Sequence, residues 1–312
     1  MESLDAREIF RAWLGLLRPA RLFLVPGEAA AGFLLAGGKA SEFVLFAICL
    51  AAICVHLFGM IANEVADVDD DSKLRPWRPI PSGAIPISHA MIAMSYMALA
   101  ALACAAYAGL ASFIVCIAMI ASLSFYNFNL PFRMKAGPQA LAFCRGAGVI
   151  LGAAAVNRFE SLVPVELIAA ALVFVFVFGA AAARAKRMAQ SPEGAPGRRR
   201  FALAAAACGV YAILLASGHV VSGGWFAFNP AACLFLALLA SSIFILRATS
   251  VCKAFSMQLS PQEAKIQFGE LAWSALFMQA AFCAAAGSIS WSLGILVAAP
   301  LASLAFNKAH WA

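Results

Sequence analysis

At 312 residues, 64% hydrophobic and only 12% charged, with a mean hydropathy of +0.89, the chain has too little charge to clothe a water-soluble surface, which needs about a quarter of its residues charged. Most of its apolar surface must therefore face lipid or the interior of a helix bundle. This excludes a free-standing soluble enzyme, a nucleic-acid partner for the net charge of +7, and a secreted disulfide scaffold built from the nine cysteines. Eight of these, at positions 49, 54, 104, 116, 144, 208, 233 and 283, sit inside apolar runs with no C-x-x-C spacing. A thiol there behaves as a small hydrophobe.

Residues 1–20 form an amphipathic, charge-bearing segment with no small-residue cleavage site after it, so the first apolar run is expected to stay. Apolar runs of bilayer length then fall at roughly 22–38, 43–63, 89–109, 111–127, 139–156, 163–183, 201–220 and 230–247. A last stretch, roughly 271–306, reads either as one long helix or as two short ones turning near Gly287 and Ser288. The expected fold is all-α, a polytopic membrane bundle of nine or ten spans making one domain over residues 21–312.

Lysine and arginine set the expected orientation. With a cytoplasmic N-terminus, one side collects Arg7, Arg11, Arg18 and Arg21, then Lys73, Arg75 and Arg78, then Arg133 and Lys135. It also takes Arg184, Lys186, Arg187, Arg198, Arg199 and Arg200, and finally Arg247, Lys253 and Lys265. The opposite loops hold Lys39 and Arg158. The basic charge is thus expected to report membrane orientation, with the N-terminus and the acidic loop described next on the cytoplasmic side of a bacterial inner membrane.

Five of the fifteen acidic residues fall in the run from Glu64 to Asp71, at the cytoplasmic end of the second span. Asn63, Asp67 and Asp71 recur every four residues, drifting by only about 80° around a helix, so they share one face. Hard oxygen ligands in a row at a membrane mouth suit Mg²⁺, which takes one or two carboxylates and completes its shell with substrate phosphate. Next comes Leu74-Arg75-Pro76-Trp77-Arg78-Pro79-Ile80-Pro81-Ser82-Gly83. Its prolines end the helix and stiffen a loop that carries guanidinium groups near the acids. Such groups clamp a diphosphate well; alternatively, they only obey the positive-inside rule.

Together these residues spell N-x-x-x-D-x-x-x-D followed by R-P-x-R-P-I-P-S-G, and the chain resembles the UbiA superfamily of intramembrane prenyltransferases. The resemblance implies a helical bundle open laterally to lipid, Mg²⁺ bridging an Asp-rich motif to a prenyl diphosphate, and transfer of the isoprenoid to a lipid-like or aromatic acceptor. By position it implies Asn63, Asp67 and Asp71 as metal and diphosphate ligands, and Arg75 and Arg78 as diphosphate contacts. Tyr126 and Asn127 at the end of the fourth span, with Arg133 and Lys135 beyond, occupy a place where the family often has a tyrosine and basic residues near the diphosphate.

One departure stands out. The family's second Asp-rich motif is replaced by Ala183-Arg184-Ala185-Lys186-Arg187-Met188-Ala189-Gln190. Either Arg184, Lys186 and Arg187 neutralise phosphate directly in place of a second metal, or the transfer chemistry is lost, or the loop only obeys the positive-inside rule. Glu28 in the first span and Arg145 in the fifth are ionisable groups at membrane depth, which pair or face a cavity; they form either a structural ion pair or part of the substrate chamber. Arg18-Pro19 with an acid ten residues on, and Cys144-Arg145-Gly146, resemble the EboC-type branch. The expected activity is Mg²⁺-dependent prenyl transfer. The alternatives are a terpene cyclase using the same acidic motif and a non-catalytic carrier of a lipid-like metabolite.

Overall fold

A computed structural model describes residues 5–39, 43–156, 170–172, 175, 179, 230–254 and 260–309. Every regular element among them is helical: α1 Ala6–Leu17, a 3₁₀ segment Pro19–Leu24, α2 Pro26–Leu35, α3 Phe43–Ala66, α4 Val68–Leu74, α5 Ile87–Ala108, α6 Leu110–Phe128 and α7 Leu130–Ala154. Three more follow, α8 Pro230–Ala254, α9 Pro261–Ala285 and α10 Ile289–Ala309. The expected spans at 163–183 and 201–220 lie largely or wholly outside the described residues.

Among the described residues, Phe43–Ala66, Ile87–Ala108, Leu110–Phe128 and Pro230–Val251 are long and apolar enough to cross a bilayer. The first span departs from a continuous helix over 22–38. Pro26 brings no N–H to bond the turn before it and opens α2 at its first position, so the chain enters as a 3₁₀ segment and bends at Val25. At the other end of the chain, the stretch over 271–306 is two helices: α9 closes at Ala285 and Gly287 takes φ +83°, a left-handed turn that favours glycine. α9 itself starts on a capping box, Ser260 Oγ accepting from the Glu263 N–H at 3.3 Å and Glu263 Oε2 accepting from the Ser260 N–H at 2.7 Å.

α3 is central, packed on α5 and α6, while α2 is pressed between α7 and α9. α5 and α6 turn Ile92, Tyr96, Leu99, Ile114 and Phe125 outward. An apolar rim of this size belongs against hydrocarbon. Lipid supplies no hydrophobic drive between helices, so close contact needs small residues. α2 and α7 meet that way. A Cβ on Gly32 would overlap the Val149 carbonyl, and one on Gly152 would overlap the Ala29 carbonyl. Gly148, four residues before Gly152, leaves room for the Glu28 carboxylate.

Candidate diphosphate and metal site at the α3–α4 mouth

The acidic run straddles a break. α3 ends at Ala66, Asp67 leaves helical geometry at φ −91° and ψ 1°, and α4 resumes at Val68. The helical bond rhythm continues across it, Asp67 N–H to the Asn63 carbonyl at 3.0 Å and Asp71 N–H to the Asp67 carbonyl at 2.8 Å. The four-residue row therefore survives, but its members do different things. Asn63 Nδ2 donates to Asp67 Oδ2 at 3.0 Å, and both residues are half-buried at the mouth. Asp71, only 4% exposed, is turned into an arginine cluster.

That cluster is built around Glu64, which is 2% exposed. Arg18, the αL residue that closes α1, places Nη2 2.6 Å from Glu64 Oε1. Arg78 Nη1 lies 3.3 Å from both Glu64 oxygens and 2.6 Å from Asp71 Oδ2. Arg75 Nη1 completes the chain of charges 3.6 Å from Asp71 Oδ1. Pro79, packed against Gly15 of α1, and Ile80 and Ile85, buried under Leu16, hold the 75–86 loop in place. Fully burying a leucine contributes about 1.5–3 kcal/mol, enough to keep α1 seated on this loop.

Glu64 and Arg18 were not singled out as site residues by motif spacing, although Glu64 sits next to Asn63. The signal was available: Glu64 and Asp71 are seven residues apart, two helical turns, so they share the protein-facing side, whereas Asn63 and Asp67 share the neighbouring, more open one.

The other expected site residues separate into three groups. Tyr126 is half-buried at the end of α6. Its neighbour Asn127 is 4% exposed and donates to the Leu123 carbonyl at 2.9 Å, leaving its buried Oδ1 unpartnered among the described residues. Gly59 of α3 faces Leu123, so four residues further along both helices Asn127 stands at the level of Asn63. Glu28 and Arg145 meet, Arg145 Nη2 lying 2.5 Å from Glu28 Oε1 across the α2–α7 contact. They do not join the mouth. Cys49 Sγ bonds the Pro26 carbonyl at 3.5 Å, which sets α2 against α3 fourteen residues short of Asn63, about 21 Å of helix. Direct contact from Glu28 or Arg145 to a diphosphate held by Asn63 and Asp67 is out of reach. Arg184 and Lys186 lie outside the described residues.

Among the described residues no three His, Cys, Asp or Glu side chains stand close enough to hold a metal by themselves. The donor set at the mouth, an amide and a carboxylate in contact with an arginine-flanked second carboxylate nearby, fits a hard cation that takes the rest of its shell from phosphate and water. It does not fit a closed structural site.

An all-helical bundle with apolar helices of membrane-crossing length, and an acidic row meeting an arginine loop at the end of one of them, defines the class as an intramembrane helical protein. Residues 25–262 match the UbiA prenyltransferase family, and the chain belongs to it. It is 33% identical over 169 residues to a protoheme IX farnesyltransferase of Acidiphilium cryptum, covering 50% of this chain and 51% of the relative. It is 27% identical over 195 residues to a digeranylgeranylglyceryl phosphate synthase of Natronomonas pharaonis, covering 62% and 66%. The chain thus spans about half the length of the first relative and 66% of the second. The fold is similar to that of a digeranylgeranylglyceryl phosphate synthase, with a TM-score of 0.59 at 14% identity over 90% of this chain and all of the other. It is also similar to a UbiA homologue from Archaeoglobus fulgidus bound to DMAPP and Mg²⁺, with a TM-score of 0.55 at 18% identity over 91% and 99%.

Proposed function

We propose that this protein transfers a prenyl group from a prenyl diphosphate to a lipid-like or aromatic acceptor at the cytoplasmic face of a bacterial inner membrane, with Mg²⁺ at the α3–α4 mouth. The observation that carries the reading is the Asn63–Asp67 pair standing beside an Asp71 carboxylate already bridged to Arg78 and Arg75. Asn63, Asp67 and Asp71 are the residues that would hold the metal. When bound, Mg²⁺ would neutralise charge developing on the departing diphosphate.

The chain's own residues divide the remaining work. Arg78, fixed by Glu64 and Asp71, would present a preorganised guanidinium where the leaving group accumulates charge, and Arg75, half-exposed and paired with Asp71, would add a second positive charge on the outer side. Tyr126, half-buried next to Asn127, would form the inner edge of the same mouth. Arg184 and Lys186 would supply positive charge from the loop that lacks acids. Glu28 and Arg145, about 20 Å deeper, would shape the far end of the chamber and not the diphosphate subsite. An EboC-type assignment within the family rests on the sequence pattern alone: Arg18-Pro19 with an acid ten residues on, Cys144-Arg145-Gly146 ahead of Gly152, and the acid-free loop at 183–190.

The test is diphosphate release by the purified protein given geranyl, farnesyl or geranylgeranyl diphosphate with Mg²⁺. With no acceptor present, water or the prenyl chain itself captures the prenyl cation. Release that needs Mg²⁺ and fails in Asp67→Ala therefore supports catalysis at this mouth, and a prenyl alcohol as the product, in place of a cyclised hydrocarbon, supports transfer over cyclisation. The acid-free loop at 183–190 favours one rival, a carrier; tight Mg²⁺-dependent binding of all three diphosphates without release would establish that instead.

A further inference from the structure

α1 carries a surface that neither the bundle nor the site uses. Its inner side, Leu16 with Ala12, Trp13 and Leu17, is packed on Ile61, Ile80, Ile85 and Ala90. Its outer side exposes Phe10, at 63%, and Leu14, at 39%. These two lie four residues apart, so they make one apolar strip. Arg7 and Arg11, also four apart and both exposed, fall within about 40° of one another on the flank of that strip. Neither arginine forms an ion pair with a described residue. The one acid of the helix, Glu8, is turned away into the N-terminal cap, accepting from the Asp5 N–H at 3.1 Å.

We propose that this face of α1 docks on anionic phospholipid headgroups of the leaflet bordering the α3–α4 mouth. Phe10 and Leu14 enter the acyl boundary while Arg7 and Arg11 meet phosphate. A bilayer is the surface within reach: α1 leads through Arg18 straight into the first membrane segment, and Arg18 is tied to Glu64 at the end of a membrane-crossing helix. An apolar strip bordered by arginines, with its only acid withdrawn, matches the amphipathic helices that lie in anionic interfaces. Each arginine near such a surface is worth roughly fivefold in association. The α1 contact is also continuous with the site, because Arg18, Glu64, Arg78 and Asp71 form one chain of ion pairs. Lipid that seats α1 thereby seats the arginines of the mouth.

The experiment places the full-length protein, Phe10→Cys and labelled there with an environment-sensitive fluorophore, in phosphatidylcholine nanodiscs doped with equal amounts of a quencher-bearing phosphatidylglycerol or phosphatidylcholine. The phosphatidylglycerol quencher should be at least twice as effective at low salt. The preference should vanish in 1 M NaCl and in the Arg7→Gln/Arg11→Gln background. Without any label, native mass spectrometry should find less phosphatidylglycerol retained by Arg7→Gln/Arg11→Gln than by the parent chain. Equal quenching by the two lipids, no quenching by either, or a preference that survives both arginine substitutions would overturn the proposal. So would its abolition by pyrophosphate at constant ionic strength, which would mark the arginines as a site for a free anion. None of these readouts uses turnover, so failure here leaves the prenyl-transfer reading standing, and the reverse.

Discussion

Asp67 and Asp71 look equivalent in the motif, yet they meet different surroundings. Asp67 shares a hydrogen bond with Asn63 at the open side, while Asp71 is buried between two arginines. Asp67→Ala should therefore abolish Mg²⁺-dependent binding of a non-hydrolysable prenyl diphosphate analogue with little change in thermal stability, checked by calorimetric titration and a melting curve in detergent. Glu64→Gln should do more to the fold. It leaves Arg18 and Arg78 without their shared carboxylate, and losing hydrogen bonds to charged groups of this kind costs about 1–3 kcal/mol. A Glu64→Gln protein as stable as the parent would show that the arginine cluster does not brace the mouth. Deeper in the bundle, Glu28→Gln and Arg145→Gln should each destabilise by about 3 kcal/mol or more, since each strands a charge in an apolar interior. The double variant should recover part of the loss; strictly additive losses in a double-mutant cycle would contradict the pair seen between α2 and α7.

Among the elements, the α2–α7 crossing depends most on single residues. Backbone carbonyls occupy the space where side chains at Gly32 and Gly152 would begin, so the helices cannot separate locally to admit one. Gly152→Val should cost about 3 kcal/mol, the upper end of what overpacking a core costs. It should also disturb Glu28 and Arg145, which meet across the same contact. Gly294 in α10 gives the opposite expectation. A Cβ there meets nothing within 4 Å, so Gly294→Ala should raise stability by about 0.5–1 kcal/mol through helix propensity alone. Comparing the two melting temperatures separates packing from propensity, and equal effects would refute the close approach of α2 and α7.

For the whole molecule, lipid and charge set the arrangement. α5 and α6 turn apolar side chains outward while α3 is the most buried of the described long spans, and Arg18, Arg75 and Arg78 gather around Glu64 and Asp71 at its end. Ser72, on the exposed side of α4, and Ser260, at the exposed start of α9, should both be cytoplasmic. Single cysteines at these two positions should resist impermeant reagents added outside sealed cells and react once the membrane is opened. Labelling of either from outside would reverse the topology and remove the mouth from the cytoplasm.

Hydropathy was enough to read a helical membrane bundle from the chain alone, and the family came from the resemblance carried by the Asn63–Asp71 row together with the arginine–proline run that follows it. These features are local or compositional: bilayer thickness fixes span length, the helical repeat fixes which residues share a face, and proline fixes where a helix stops. Other features needed the third dimension. Whether 271–306 is one helix or two turned on a single left-handed glycine. Spacing put Asn63, Asp67 and Asp71 in one row, but only packing assigned Asp71 to the arginines, because Arg78 reaches it from a loop and Arg18 reaches Glu64 from another helix. Glu28 and Arg145, more than a hundred positions apart, were each legible as costly buried charges; that they offset one another was decided by Gly32, Gly148 and Gly152, which bring α2 and α7 close enough for a guanidinium to meet a carboxylate.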